Sequence, residues 1–199
     1  MPTDWENHYR TADTPWDKSA PSPGLTDFLE ETPPTGRVLS PGCGRGHDVR
    51  AFASRGLETV GIDIAPSAVA EARSIAPVAN ERYEVADLFD LPPTLRGAFD
   101  WVWEHTCFCA IDLTRRADYA AAVAGALRPG GHFLAIFYLD PGQNRRDDGP
   151  PFETSLAELD RLFLPYFELR REWPPAHTYR GREHREWMRL MRLRSHKEP

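Results

Sequence analysis

From residue 37 onward the chain alternates short apolar runs rich in β-branched residues with segments whose apolar positions recur at helical spacing. Arg37-Val38-Leu39-Ser40 reads as a buried strand that stops at Pro41 and a group of glycines. Residues 47–55 are helix-compatible and stop at Gly56, and Glu58-Thr59-Val60-Gly61-Ile62-Asp63-Ile64 predicts a second strand. Pro66 suits the first turn of a helix over 67–75, Arg82-Tyr83-Glu84-Val85-Ala86 predicts a third strand, and Phe99-Asp100-Trp101-Val102-Trp103 a fourth. A helix over 114–127, closed by Arg128-Pro129-Gly130-Gly131, leads into a fifth strand over 132–139. Strands alternating with helices predict an α/β fold, a doubly wound and mostly parallel sheet with helices on both faces. After a loop over 140–151, Ser155 and Glu158 form a capping-box start for a helix to about Tyr166. Residues 168–173 and 186–193 then predict an antiparallel hairpin that completes a seven-stranded sheet. Ahead of all this, residues 1–24 carry Trp5, Tyr9 and Trp16 among polar residues with too many breakers for a long helix, and a short helix over 25–31 follows.

The 199 residues, 41% hydrophobic, suffice for one sizeable core, so 1–199 is expected to be one domain with 1–24 as an aromatic arm. The longest apolar run, 133–139, is far short of a membrane span, and the first residues lack a signal pattern, so a cytoplasmic protein without a membrane partner is expected. Cys43, Cys107 and Cys109 are too few for a disulfide framework and poorly spaced for a metal, which leaves reduced thiols and no metal site. A net charge of −6 argues against nucleic acid as a partner and for small-molecule chemistry. The local exception, Arg180, Arg182, Arg185, Arg189, Arg192, Arg194 and Lys197, reads as a solvated strand edge. With no obvious extra domain, a monomer is the default expectation.

Gly42, Gly44 and Gly46 directly follow a buried strand and open a helix, a turn whose backbone can lie close against a ligand. By itself the trio also fits a tight turn with no ligand. Asp63, followed by Ile64, ends the next strand, where a carboxylate can accept hydrogen bonds from two ribose hydroxyls. Asp87-Leu88 ends the third strand, where an acid can hold an adenine amino group while the leucine covers the ring. Three such features on the carboxyl edge of one sheet point together to a nucleoside cofactor. A dinucleotide loop would place its third glycine at position 47, which here is His47, and Asp48 is an awkward neighbour for a diphosphate. S-adenosylmethionine, with a sulfonium and an amino-acid tail, fits better than NAD.

Trp5-x3-Tyr9-x6-Trp16-Asp17, Pro41-Gly42-Cys43-Gly44-Arg45-Gly46-His47-Asp48-Val49, Phe108-Cys109-Ala110-Ile111 and Gly149-Pro150-Pro151-Phe152 resemble the thiopurine S-methyltransferase family, most of all its halide and thiol (thiocyanate) methyltransferase branch. The resemblance spans residues 5–193 and implies a Rossmann-like class I methyltransferase that uses S-adenosylmethionine, releases S-adenosylhomocysteine and methylates a small-molecule acceptor: a thiol, thiocyanate, hydrosulfide or halide. It implies that Trp5, Tyr9 and Trp16 close over the cofactor, with Gly42, Cys43, Gly44, Asp63, Ile64, Asp87, Leu88, Glu104 and His105 around it. Tyr9 replaces a Trp common in plant relatives, and His105, expected just after the fourth strand, replaces a Tyr. Methyl transfer needs alignment more than acid or base machinery, although a neutral His105 has the chemistry of a proton acceptor. Phe108, Phe152 and Tyr179 are candidate walls of the acceptor pocket. Rival readings are an O- or N-methyltransferase of a biosynthetic intermediate, a non-catalytic module that only binds the cofactor, and an NAD-dependent oxidoreductase, which the His47 spacing opposes.

Overall fold

Adjacent residues of the central strands enter opposite cores, which is the signature of a sheet covered on both faces. In the computed structural model, which describes residues 3–32, 34–140, 142 and 149–195, the strands are β1 (Arg37–Pro41), β2 (Glu58–Asp63), β3 (Arg82–Val85), β4 (Phe99–His105), β5 (Leu127–Tyr138), β6 (Phe167–Trp173) and β7 (Glu186–Leu193). They form one sheet in the order β3-β2-β1-β4-β5-β7-β6. The first five run parallel, and β7 pairs antiparallel with both β5 and β6. The seven-stranded, mostly parallel sheet with a terminal antiparallel pair is the one the sequence predicts.

On one face Leu39, Val102, Phe133 and Phe137 pack under α5 (Arg116–Ala126) and α6 (Leu156–Phe163), through Tyr119, Val123, Leu159 and Phe163. On the other, Val38, Trp103, Leu134 and Ile136 meet α2 (Pro23–Glu31) and α3 (His47–Ala53), through Leu25, Phe28 and Phe52. α4 (Pro66–Ser74) extends that layer over β2 and β3 with Val69 and Ala72. Each fully buried aliphatic or aromatic side chain contributes roughly 1.5–3 kcal/mol, so these two layers hold the sheet between them. Strand order reverses between β1 and β4, and the crevice at their carboxyl ends is where open α/β sheets take ligands.

Four boundaries differ from the sequence reading, each for a local reason. The arm contains a short helix, α1 (Trp5–Arg10), capped by the Asp4 side chain on the Asn7 N–H. β5 starts at Leu127, because Leu127 pairs with Phe99 before Arg128–Gly131 bulges out and His132 pairs with Trp101. β4 runs on to His105, so Glu104 and His105 are strand residues and not loop residues. The basic tail is not a solvated edge, since β7 lies between β5 and β6. Arg189 on β7 is 1% exposed and paired with Asp160 at 2.9 Å and Glu172 at 2.5 Å. Most of the loop expected over 140–151 and Lys197 lie outside the described residues.

Candidate active site

The turn after β1 is built from three left-handed glycines, Gly42, Gly44 and Gly46, with φ of 60°, 52° and 74°. All three are also short of room: a β-carbon at Gly42 would meet the Cys107 sulfur at 2.8 Å, one at Gly44 the Tyr9 hydroxyl at 2.8 Å, and one at Gly46 the Tyr83 ring. The turn is fixed to the next strand by Asp63. Its Oδ2 accepts the Gly44 N–H at 3.0 Å and its Oδ1 the Ala65 N–H at 3.0 Å. A carboxylate accepts about four hydrogen bonds, so acceptor positions remain on the cavity side. Burial, opposed by these backbone donors, holds the Asp63 carboxyl above the usual carboxylate range.

The arm is anchored around this turn at three places. Glu6 of α1 accepts the Ser67 N–H and hydroxyl at 2.9 and 2.6 Å, on the first turn of α4. Arg45, inside the glycine turn, binds Asp17, Thr14 at 3.0 Å and Glu71 at 2.5 Å. At the arm's far end Asp48 accepts the Ser22 N–H at 2.7 Å, and the Tyr179 hydroxyl donates to the Ala20 carbonyl at 2.6 Å. Between these anchors Trp5, Tyr9 and Trp16 cluster edge to face, the Trp16 ring 5.4 Å from Trp5 and 6.0 Å from Tyr9.

Beneath the aromatic cluster lies a cavity of about 740 Å³, in the size range that buries a drug-sized ligand. Trp5, Tyr9, Trp16, Gly42, Asp63, Ile64, Asp87 and Leu88 all line it, so it gathers the cofactor residues expected from three strand tips and the arm. Ile64 is 52% exposed although apolar, a side chain placed on the cavity and not in the core. A narrower recess of about 70 Å³ adjoins it along the glycine turn, with Cys43, Gly44, Asp48, His105 and Tyr179 in its walls. The donor set fits a nucleoside with an amino-acid tail: an acid at the ribose position, apolar walls for a flat ring, and a close-approach backbone toward the recess.

Several expected site residues sit elsewhere. Glu104 is 1% exposed and turned into the core, where Oε1 accepts the Cys107 and Phe108 N–H groups at 3.0 and 2.8 Å and Oε2 takes the Tyr119 hydroxyl. It does not reach the cavity. Instead it fixes the bend that puts Thr106, at φ 62°, on the cavity wall, an unusual backbone for a β-branched residue. Burial, against those hydrogen bonds, pushes its carboxyl up to about 7. Phe108 is 1% exposed and packs on Tyr119, Phe137 and Phe163, so it is core; its neighbours Cys107, Cys109, Ala110 and Ile111 line the cavity instead. Phe152 lies outside the lining and is held by its N–H on the Cys109 carbonyl at 2.6 Å, while Pro150 and Pro151 before it do line the cavity.

His105 sits on the recess with Nδ1 3.1 Å from Asp48 and Nε2 3.9 Å from Glu186, its ring stacked 5.9 Å from Tyr179. Burial lowers its pKa, but the Asp48 hydrogen bond and the charge of Glu186 outweigh it and push His105 up to about 9. A pKa raised that far favours an ion pair with Asp48 over the proton-acceptor chemistry that the residue type suggests. The sequence reading also passed over His8, Thr106, Tyr138, Arg115, Arg180 and Arg182, which line the cavity. No local motif marks them, because they come from the arm, the turn after β4, the residues just before α5, the end of β5 and the β6–β7 connection.

The model of the thiopurine S-methyltransferase family matches residues 1–178. A probable thiol methyltransferase 2 of Arabidopsis thaliana is 32% identical over 81% of this chain and 71% of its own length. A 2-heptyl-1-hydroxyquinolin-4(1H)-one methyltransferase of Mycobacteroides abscessus is 27% identical over 83% of this chain and 73% of its own. Among solved structures, a 1,6-didemethyltoxoflavin-N1-methyltransferase of Burkholderia thailandensis, bound to its acceptor and S-adenosylhomocysteine, superposes with a TM-score of 0.73 at 19% identity, covering 96% of this chain and 86% of that one.

Proposed function

The chain belongs to the thiopurine S-methyltransferase family and is an S-adenosylmethionine-dependent methyltransferase of small nucleophiles, and we propose that its acceptor is an organic thiol seated in the apolar part of the 740 Å³ cavity. The observation that carries this reading is the cavity itself, which joins the carboxylates at the tips of β2 and β3 to an apolar space toward Cys109, Ile111 and Tyr138 under an aromatic arm.

When bound, S-adenosylmethionine supplies a methyl group made electrophilic by its sulfonium. The chain's own residues bind, orient and exclude water. Asp63 would hold the ribose hydroxyls and Asp87 the adenine amino group, with Ile64 and Leu88 against the ring and the backbone of Gly42, Cys43 and Gly44 along the tail. Trp5, Tyr9 and Trp16 offer aromatic faces to the positive sulfur, worth about 0.5–2 kcal/mol each where desolvated, and keep water from the reacting atoms. In-line displacement then depends on alignment. The thiol loses its proton before transfer: a free thiol of pKa about 8.5 is already a few per cent thiolate at neutral pH. Cations at the acceptor end favour that anion. His105 holds the recess together through Asp48 and Glu186 and takes no proton from the acceptor.

We place the chain in a reducing, cytoplasmic setting as a monomer acting on small molecules, without nucleic-acid or membrane partners. Its three cysteines are free, and among the described residues no helix is long and apolar enough to cross a membrane. One observation favours a second reading, methylation at oxygen or nitrogen: a relative named for a hydroxyquinolinone matches 83% of this chain. The test is S-adenosylhomocysteine release with iodide, thiocyanate, hydrosulfide, aromatic thiols, a thiopurine and matched phenols. Turnover led by the organic thiols supports the proposal; turnover of phenols alone transfers the chain to the second reading.

A further inference from the structure

Around the cavity, two of the cations stand apart from the carboxylates. Its carboxylates, Asp63 and Asp87, stand at the tips of β2 and β3, near one end of the sheet. Toward the other end, the connection between β6 and β7 brings Arg180 and Arg182 to the wall. That connection lies at the carboxyl edge because Glu186, the first residue of β7, pairs with Tyr138, the last of β5. In a chain of net charge −6, a cationic wall beside an apolar cavity is a local exception.

The lining cations differ in how they are satisfied. Arg182 is 8% exposed, paired with Glu186 at 3.0 Å and laid over the Tyr138 ring at 4.9 Å. Arg115 covers Phe89 at 3.7 Å and stands 3.6 Å from Asp118, and Lys18 donates to the Pro15 carbonyl at 2.8 Å. Arg180 is the exception: it is exposed on the cavity, and among the described residues no carboxylate or carbonyl pairs with its guanidinium. Its backbone is nonetheless held on both sides. Tyr179 is tied to the Ala20 carbonyl, and the Arg182 N–H returns to the Tyr179 carbonyl at 3.0 Å across Gly181, whose φ is 87°. Arg180 also lies just past the residues that the family model matches, so nothing in that match assigns it a role.

We propose that Arg180 is a specificity residue that pairs with a carboxylate on the acceptor, so that the preferred substrate class is an aryl thiol bearing a carboxylate group. Resting on the thiol reading above, it adds the second anionic group. The planar guanidinium fork matches a carboxylate and gives two parallel N–H bonds at one orientation. The aryl body fills the apolar wall between Ile111 and Tyr138, and the pairing at the far end points the sulfur back toward the nucleoside end. A three-atom anion such as thiocyanate carries no second group for that pairing and gains only the general positive field.

The experiment uses the full chain saturated with S-adenosylhomocysteine and titrated by calorimetry with 4-mercaptobenzoate and with benzenethiol, in wild type, Arg180→Ala and Arg180→Lys. The expected result is at least about tenfold tighter binding of the carboxylated thiol by wild type, a preference abolished in Arg180→Ala, partly kept in Arg180→Lys, and weakened by salt. Affinity for S-adenosylhomocysteine and the melting curve stay as in wild type. In parallel turnover assays the loss in Arg180→Ala falls on KM for the carboxylated thiol, with kcat within about twofold. Equal affinities for the two thiols in wild type, or an equal loss for both in Arg180→Ala, overturn the proposal. Should neither thiol be methylated while the binding preference holds, the thiol chemistry fails and Arg180 as a carboxylate reader stands.

Discussion

Replacing His105 by Gln removes a buried cation from between Asp48 and Glu186, and the consequence is readable in the pH dependence of stability. The wild-type imidazole titrates at about 9, against about 6.5 in an unfolded chain. Its folded pKa is raised, so its contribution is fully present below about pH 6.5 and is lost as pH rises through about 9. The difference corresponds to about 3 kcal/mol, or roughly 6–12 °C in Tm for a chain of this length. Glu104, pushed up to about 7, lies in the same window and is itself lowered by the His105 charge, so the gap is read above pH 8, where Glu104 is ionised in wild type. The assay is urea unfolding of wild type and His105→Gln from pH 6 to pH 10. The stability gap between them is expected to narrow from pH 8 to pH 10, by the part of that difference still present at pH 8. A gap that stays constant, or an imidazole titrating near 6.5 by NMR, refutes the buried ion pair and returns His105 to the list of possible bases.

Asp63→Asn keeps the shape of the β2 tip but not its charge, and is expected to weaken S-adenosylhomocysteine binding by about 1.5–3 kcal/mol in calorimetry while the fold survives. Arg45→Ala cuts the arm from the glycine turn; trypsin cleavage after Lys18 is expected to speed up by about tenfold, measured as the half-life of the intact chain, and bound S-adenosylhomocysteine should reverse part of that change. Gly46→Ala drives a β-carbon into the Tyr83 ring at a backbone φ of 74°, and a loss of about 1–3 kcal/mol is expected from denaturant midpoints.

The parts legible in the sequence are those whose cause is local. β1 to β3 stand out as short apolar runs because both faces of the sheet are covered, and the glycine turn stands out because only glycine takes its backbone. Asp63, Ile64, Asp87 and Leu88 could be placed at strand tips by counting, and they meet on one cavity. What could not be read has its cause far along the chain. His105 is charged because of Asp48, 57 positions earlier, and Glu186 at the start of β7. Arg189 is buried because β7 inserts between β5 and β6, an order no local pattern encodes. Phe108 and its neighbours share one turn, and the hydrogen bonds of Glu104 decide which of them face the core. The proposed acceptor wall is assembled from segments far apart in the chain, so Arg180 and Arg182 are legible as part of a basic tail but not as a binding surface.

The most direct measurement is label transfer: S-adenosylmethionine with a deuterated methyl group, incubated with the full chain and an aryl thiol, and the products weighed by mass spectrometry. The account predicts the intact deuterated methyl on the acceptor sulfur with an equal amount of S-adenosylhomocysteine. Tight binding of the cofactor with no label on any sulfur acceptor would contradict it.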